Sequence, residues 1–351
     1  MKNLKTIVKL IPLLVAAYAS SAQAMVINFS HAADMDARAL AGFQAAADRW
    51  SAVLHDDVQV NLDIGFSLLG TGILGSTRST QGTVSYNEYR NALAADAWGK
   101  TDKAAVAGLS QSNCLSVMMN GTAVNPNGAG SALTFVDNNC NANNTTIRMT
   151  TANARAAGLL DAYDPLNDGS VSFSTAFTWD FNPEDGINAD AFDFIGVATH
   201  EIGHALGFIS GVDVLDGNRS GDYSDAAFTY IAPTDLFRCS ADSKAAGADL
   251  DFSADKRTKY FSFDNCDTTM ATFSTGSAFG DGRQASHWKD NMHFGILDPT
   301  AARGELMAIS ALDLQMYDAI GWNTVPEPGT LALLAAGLAG VAGLSRRRRK
   351  A

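Results

Sequence analysis

Apolar residues recur at three- and four-residue steps from Ala33 to Leu54: Leu40, Phe43, Ala47, Trp50 and Leu54. That spacing predicts a helix with one buried face, and Asp34 stands where an N-cap is needed. Val58 to Phe66 alternates Val58, Val60, Leu62, Ile64 and Phe66, which predicts a strand. Gly65 to Thr83 is rich in Gly, Ser and Thr and is read as a loop or edge segment. Tyr86 to Ala95 reads as a helix. Asn113 to Asn144, rich in Asn and Gly, reads as loops around a short strand, Ala132 to Val136. Thr145 to Thr150 and Ser170 to Phe181 read as further strands.

The clearest element is Asp193 to Gly207. Phe194, Val197, Ala198, Ile202, Ala205 and Leu206 supply its apolar positions, Asp193 a cap and Gly207 a terminator. Beyond it the chain reads as irregular to about residue 305, rich in Asp, Ser, Gly and Thr. A short amphipathic helix, Ser310 to Ile320, closes the pattern. Strands and helices mixed in this way predict an α+β fold. Its N-terminal lobe would place helices on a mixed sheet, and its C-terminal lobe would be largely irregular.

Both ends depart from this pattern. Residues 1–24 carry Lys2, Lys5 and Lys9, an apolar stretch from Ile7 to Ala17, and Ser21-Ala22-Gln23-Ala24. This reads as a signal peptide cut by signal peptidase, leaving Met25 as the new N-terminus. Residues 325–351 hold Pro326-Glu327-Pro328, an apolar run from Leu331 to Leu344, and Arg346 to Lys350. The run is shorter than the roughly 20 residues of a rigid span, so it suits a transient membrane contact. The order of its three parts resembles the PEP-CTERM sorting signal. That resemblance implies a protein exported by a Gram-negative bacterium and processed by an exosortase-type enzyme. The mature body is thus expected over 25–324, with lobes of about 25–209 and 210–324.

Composition becomes informative once the tails are set aside. The whole chain has 351 residues, 25 basic and 37 acidic. The signal takes three basic residues and the tail five basic and one acidic, leaving 17 basic against 36 acidic, net −19. Such a body is repelled by nucleic acid and anionic lipid, and no basic patch argues otherwise. The four cysteines, Cys114, Cys140, Cys239 and Cys266, are even in number and include no Cys-x-x-Cys pair. In an exported chain they favour disulfides. The expected pairs are Cys114–Cys140 and Cys239–Cys266, each closing a moderate loop.

The chemistry centres on His200-Glu201-Ile202-Gly203-His204. Residues four apart share a helix face, so His200 and His204 can bind one Zn2+ ion while Glu201 reaches the attacking water as general base. A catalytic zinc needs a third protein ligand. Position 210, six after His204, is Ser, and no Glu occurs from Ile202 to Arg303. His287, His293 and several Asp remain; Asp213 is a rival ligand or a supporting partner. A weaker signal, Asp216-x-Asn218-x-Ser220-Gly221-Asp222, has the first half of a calcium loop. Its twelfth position is Ala227 rather than Glu, so Ca2+ is only a secondary candidate.

His200-Glu-Ile-Gly-His-Ala-Leu-Gly-Phe208, followed more than 80 residues later by Ser286-His287-Trp288, resembles the leishmanolysin group of metzincins. Leu306 to Leu312 and Ile320-Gly321-Trp322 resemble that group's C-terminal segment. The resemblance covers roughly 190–322. It implies a metzincin-like catalytic domain, a secreted zinc endopeptidase acting on protein or peptide substrates, with His200, His204 and His287 as ligands and Glu201 as base. It also implies a Met beneath the metal, for which Leu297 and Met307 are alternatives. A matrix or adhesion protein keeping this fold with little turnover is the other reading. The intact Glu201 argues against it, since adhesion needs no general base.

Overall fold

The computed structural model describes residues 25–324 apart from Arg219. The expected signal segment, 1–24, and sorting tail, 325–351, lie outside the described residues. Among those described, no helix is long and apolar enough to cross a membrane.

The chain begins with strand β1 (Val26–Ser30), helix α1 (Ala37–Ser51) and strand β2 (Gln59–Ser67). In β2 the alternating Val60, Leu62 and Ile64 are buried, as the period-two pattern requires. In α1 the buried face is Ala39, Phe43, Ala46, Ala47 and Trp50. Its cap is Asp36, not Asp34: the Asp36 carboxylate accepts from the Arg38 N–H, and the helix starts a turn later than the apolar pattern suggested.

Two short strands follow, β3 (Gly75–Ser79) and β4 (Gln81–Ser85), where composition had pointed to a loop or edge. Helix α2 (Tyr86–Asp96) falls where expected, and α3 (Lys100–Gly108) comes from a segment without a strong apolar period. Next are β5 (Val117–Met119), β6 (Phe135–Asp137), α4 (Ala142–Thr145), β7 (Thr146–Thr150), α5 (Thr151–Ala156), β8 (Gly169–Ser174), β9 (Trp179–Asp180) and β10 (Phe192–Asp193). The main sheet has the order β1-β2-β8-β3. β1, β2 and β8 run parallel, and β3 lies antiparallel at the edge.

Helix α6 (Phe194–Leu206) packs against α1 and against β3 and β8 of this sheet. Asp193 caps it by accepting from the Gly196 N–H at 2.8 Å. Gly207 ends it with φ +125°, a value that costs a side chain and suits glycine. Trp50 of α1 donates its indole N–H to the Thr199 carbonyl at 2.8 Å. At Gly42 a Cβ would lie 2.4 Å from the Phe194 ring, so only glycine lets the two helices approach this closely.

After α6 come α7 (Val212–Asp216), β11 (Arg238–Cys239), α8 (Ala241–Ala246), β12 (Leu250–Asp251), β13 (Lys259–Phe261), β14 (Ala271–Phe273) and α9 (Ala311–Ala319). These strands are only two or three residues long, which is why the stretch read as irregular. β11, β13 and β14 form one antiparallel sheet. β12 pairs parallel with β5, so the chain after residue 209 is hydrogen-bonded into the part before it. The end of the chain returns as well: Trp322 donates to the Leu206 carbonyl, and Thr324 bridges Leu54. The fold is a mixed α+β architecture.

The cysteines pair as expected, Cys114–Cys140 and Cys239–Cys266, closing loops of 26 and 27 residues. Removing either bridge frees the unfolded chain and costs about 3 kcal/mol. Cys239→Ser/Cys266→Ser should therefore lower unfolding stability by about that amount in denaturant titration. An unchanged midpoint would show that the bridge does not constrain the unfolded chain.

Candidate metal centre

Helix α6 presents His200 and His204 one turn apart, and the segment after β14 brings His287 to them from 83 residues away. The three Nε2 atoms form a small triangle: His200 to His204 is 3.1 Å, His204 to His287 is 3.2 Å and His287 to His200 is 3.3 Å. Each Nδ1 faces a backbone carbonyl. His200 Nδ1 meets Ile296 O at 2.7 Å, His204 Nδ1 meets Phe208 O at 2.7 Å, and His287 Nδ1 meets Gln284 O at 3.3 Å. A carbonyl only accepts, so each Nδ1 carries the ring proton and each Nε2 presents its lone pair.

Burial reinforces that state. It pushes the His200 imidazole down to about 3, with nearby His204 adding to the effect. Burial also lowers His204, and it lowers His287 well below the ordinary histidine value. Three neutral rings thus point three lone pairs at one spot, a repulsive arrangement that a cation at the centre would relieve. Ligands about 2.0–2.1 Å from a tetrahedral ion sit about 3.3 Å apart, close to the sides of this triangle. The donor set fits a single metal ion, and it is the group of metal-binding side chains found among the described residues.

Glu201 is buried beside them. Its Oε2 accepts from the Thr77 hydroxyl of β3 at 2.8 Å. Burial raises its carboxyl to about 7, and the Thr77 hydrogen bond holds it from rising further. The carboxylate has room only because residue 75 is glycine: a Cβ there would lie 2.6 Å from Glu201 Oε1. These groups line an open cleft of about 940 Å³, whose walls also include β3, Asp298 to Ala301 and Met307.

The two candidates for the apolar floor occupy different places. Leu297 is fully buried and packs against Gly203, in the turn whose preceding residue, Ile296, holds His200. Met307 lies beside Gly196, about two turns before Gly203 along α6, and lines the cleft. Asp213 is not placed as a ligand. Its carboxylate accepts from the Ala285 N–H, the Ser286 N–H and the Ser286 hydroxyl, directly ahead of His287. His293 is exposed and lies outside the triad. Asp216 accepts from the Ala278 and Phe279 N–H groups, and Asn218 donates to the Gly121 carbonyl, so both are turned inward onto protein.

Sequence reading missed Thr77, Gly75 and Asp313. Asp313, fully buried in α9, accepts from the Trp288 indole at 2.8 Å and the Ile296 N–H at 2.8 Å. It therefore steadies the neighbour of His287 and the turn that holds His200. Its one visible signal was Ser310-x-x-Asp313, a reciprocal cap at the start of the last helix.

The PEP-CTERM protein-sorting motif matches residues 324–349. The chain therefore ends in a sorting signal of exported, envelope-associated proteins of Gram-negative bacteria, processed by an exosortase-type enzyme. No curated protein matches the chain, and no solved structure does.

The protonation states predict the proton balance of metal uptake. The imidazoles are neutral at pH 7 and release no proton on binding a metal, so any release comes from Glu201, near its midpoint, or from a metal-bound water. Calorimetric titration of metal-free protein with Zn2+ in buffers of different ionisation heat should show release of about one proton per ion or fewer. Release of two or more would mean that the rings start protonated.

Proposed function

We propose that this protein is an exported zinc-dependent endopeptidase of the leishmanolysin-like metzincin type, with residues 25–324 as its mature body. The observation that carries this reading is the triangle of three Nε2 lone pairs with Glu201 alongside in an open cleft. His200, His204 and His287 would hold the ion. Zinc, when bound, supplies a Lewis acid that polarises a carbonyl and acidifies water.

The remaining steps belong to the chain. Glu201 is poised to take a proton near neutral pH, since burial has brought its carboxyl to about 7. It takes the proton from the attacking water and delivers it to the leaving amine. Thr77 orients the carboxylate for both transfers. β3 is the edge of the main sheet and borders the cleft. An extended peptide laid along that edge would pair with it through main-chain hydrogen bonds, which suits a protein substrate of varied sequence.

A buried carboxylate with a raised proton affinity costs folding stability and gives an adhesion protein nothing in return, which disfavours the binding-only reading. Glu201→Gln keeps the shape and removes the base. It should retain one zinc per chain and lose casein or gelatin cleavage by at least about a thousandfold. Cleavage at the wild-type rate in that variant would overturn the assignment of the base. Cleavage by wild type that survives a chelator would overturn the metal.

A further inference from the structure

Position 210 is where a short metzincin pattern would carry its third ligand, and here it is Ser. The Ser210 hydroxyl donates to Asp235 Oδ1 at 2.6 Å, and the Gly211 N–H donates to Asp235 Oδ2 at 2.8 Å. Asp235 in turn pairs with Arg238, whose Nε donates to its Oδ1 at 3.2 Å. The two side chains are 0% and 1% exposed. The Arg238 guanidinium donates onward to the Ser274 carbonyl at 3.1 Å and to the Ala285 carbonyl, and it stacks 4.1 Å above the Phe273 ring. Ser274 closes the circuit: its N–H donates to the His287 carbonyl at 3.0 Å and its hydroxyl to the Trp288 carbonyl at 2.8 Å.

Ala285 is thus gripped on both sides, its carbonyl by Arg238 and its N–H by Asp213. A buried guanidinium with this many fixed acceptors is an exacting structure, because every donor must be matched. The network joins the turn that ends α6 to the residues just before His287, and its members come from four separate stretches of chain.

We propose that Arg238 is a positioning residue of the metal centre, and that the Ser210–Asp235–Arg238 relay fixes His287 relative to the two helix histidines. The side chain at 210, rather than binding metal itself, anchors the ion pair that delivers the distant ligand. This rests on the metal-site reading given above.

The test compares R238M and S210A in the wild-type and H287A backgrounds of the mature protein. The readouts are Zn2+ affinity by competition with a chromogenic chelator and the visible spectrum of the Co2+-loaded protein. In the wild-type background R238M should weaken zinc binding by about 10–100-fold, and S210A by several-fold. Both should move the Co2+ bands from the intense tetrahedral form toward the weaker ones of higher coordination, in the direction expected for H287A. In the H287A background neither should change affinity by more than about twofold, because the ligand they position is gone. Should R238M not yield folded protein, S210A decides alone. Equal losses in both backgrounds, or a lowered unfolding temperature with unchanged affinity and spectrum, would overturn the positioning role and leave only a structural one. H287A with undiminished zinc affinity would overturn the ligand assignment itself, which the other outcomes leave standing.

Discussion

Three imidazole nitrogens within 3.3 Å of one another, all presenting lone pairs, impose the constraint on which the site depends. Neutral rings do not gather this way of their own accord. Each has to be turned by something on its far side, and here that is a backbone carbonyl in every case. The carbonyls in turn need fixed backbone. Phe208 is fixed by the end of α6, Ile296 by the buried carboxylate of Asp313, and Gln284 lies next to Ala285, which Asp213 holds. The site is assembled by tethering backbone, and side-chain carboxylates act one step behind the rings.

The two parts of the histidine triad are held by different means. His200 and His204 ride on one helix, and its cap, its glycine terminator and its packing against α1 fix their spacing. His287 depends on a long excursion of very short strands, which cannot be rigid through sheet alone. Buried ion pairs, a disulfide and the Phe273–Trp288 stack at 5.0 Å supply that rigidity instead. An oxidising compartment suits such a design, and the C-terminal sorting motif places the chain on an export route.

How much of this was legible depended on whether the signal was local. α6 was readable from end to end, since its period, its Asp193 cap and its Gly207 stop all lie within fifteen residues. The cysteine pairing followed from loop length. β3 was not readable as a strand: Gly75-Ser-Thr-Arg-Ser has no apolar alternation, and its ladder to β8 makes it a strand. Thr77 and Gly75, which orient and admit Glu201, were hidden with it. α3 likewise forms by packing against α9 rather than by its own period. His287 stood out only through its Ser-His-Trp setting. Nothing in its spacing from His204 announces that 83 residues fold back to one point. Leu297 packs against Gly203 and Met307 against Gly196, a difference in place that the sequence pattern does not carry.

On the reading proposed above, three histidines from two distant stretches share one metal ion. X-ray absorption at the zinc edge of the protein purified from its exported form tests it most directly. One zinc per chain is expected, surrounded by three imidazole nitrogens and one oxygen at about 2.0–2.1 Å. Substoichiometric zinc, or a shell with only two imidazoles, would contradict it.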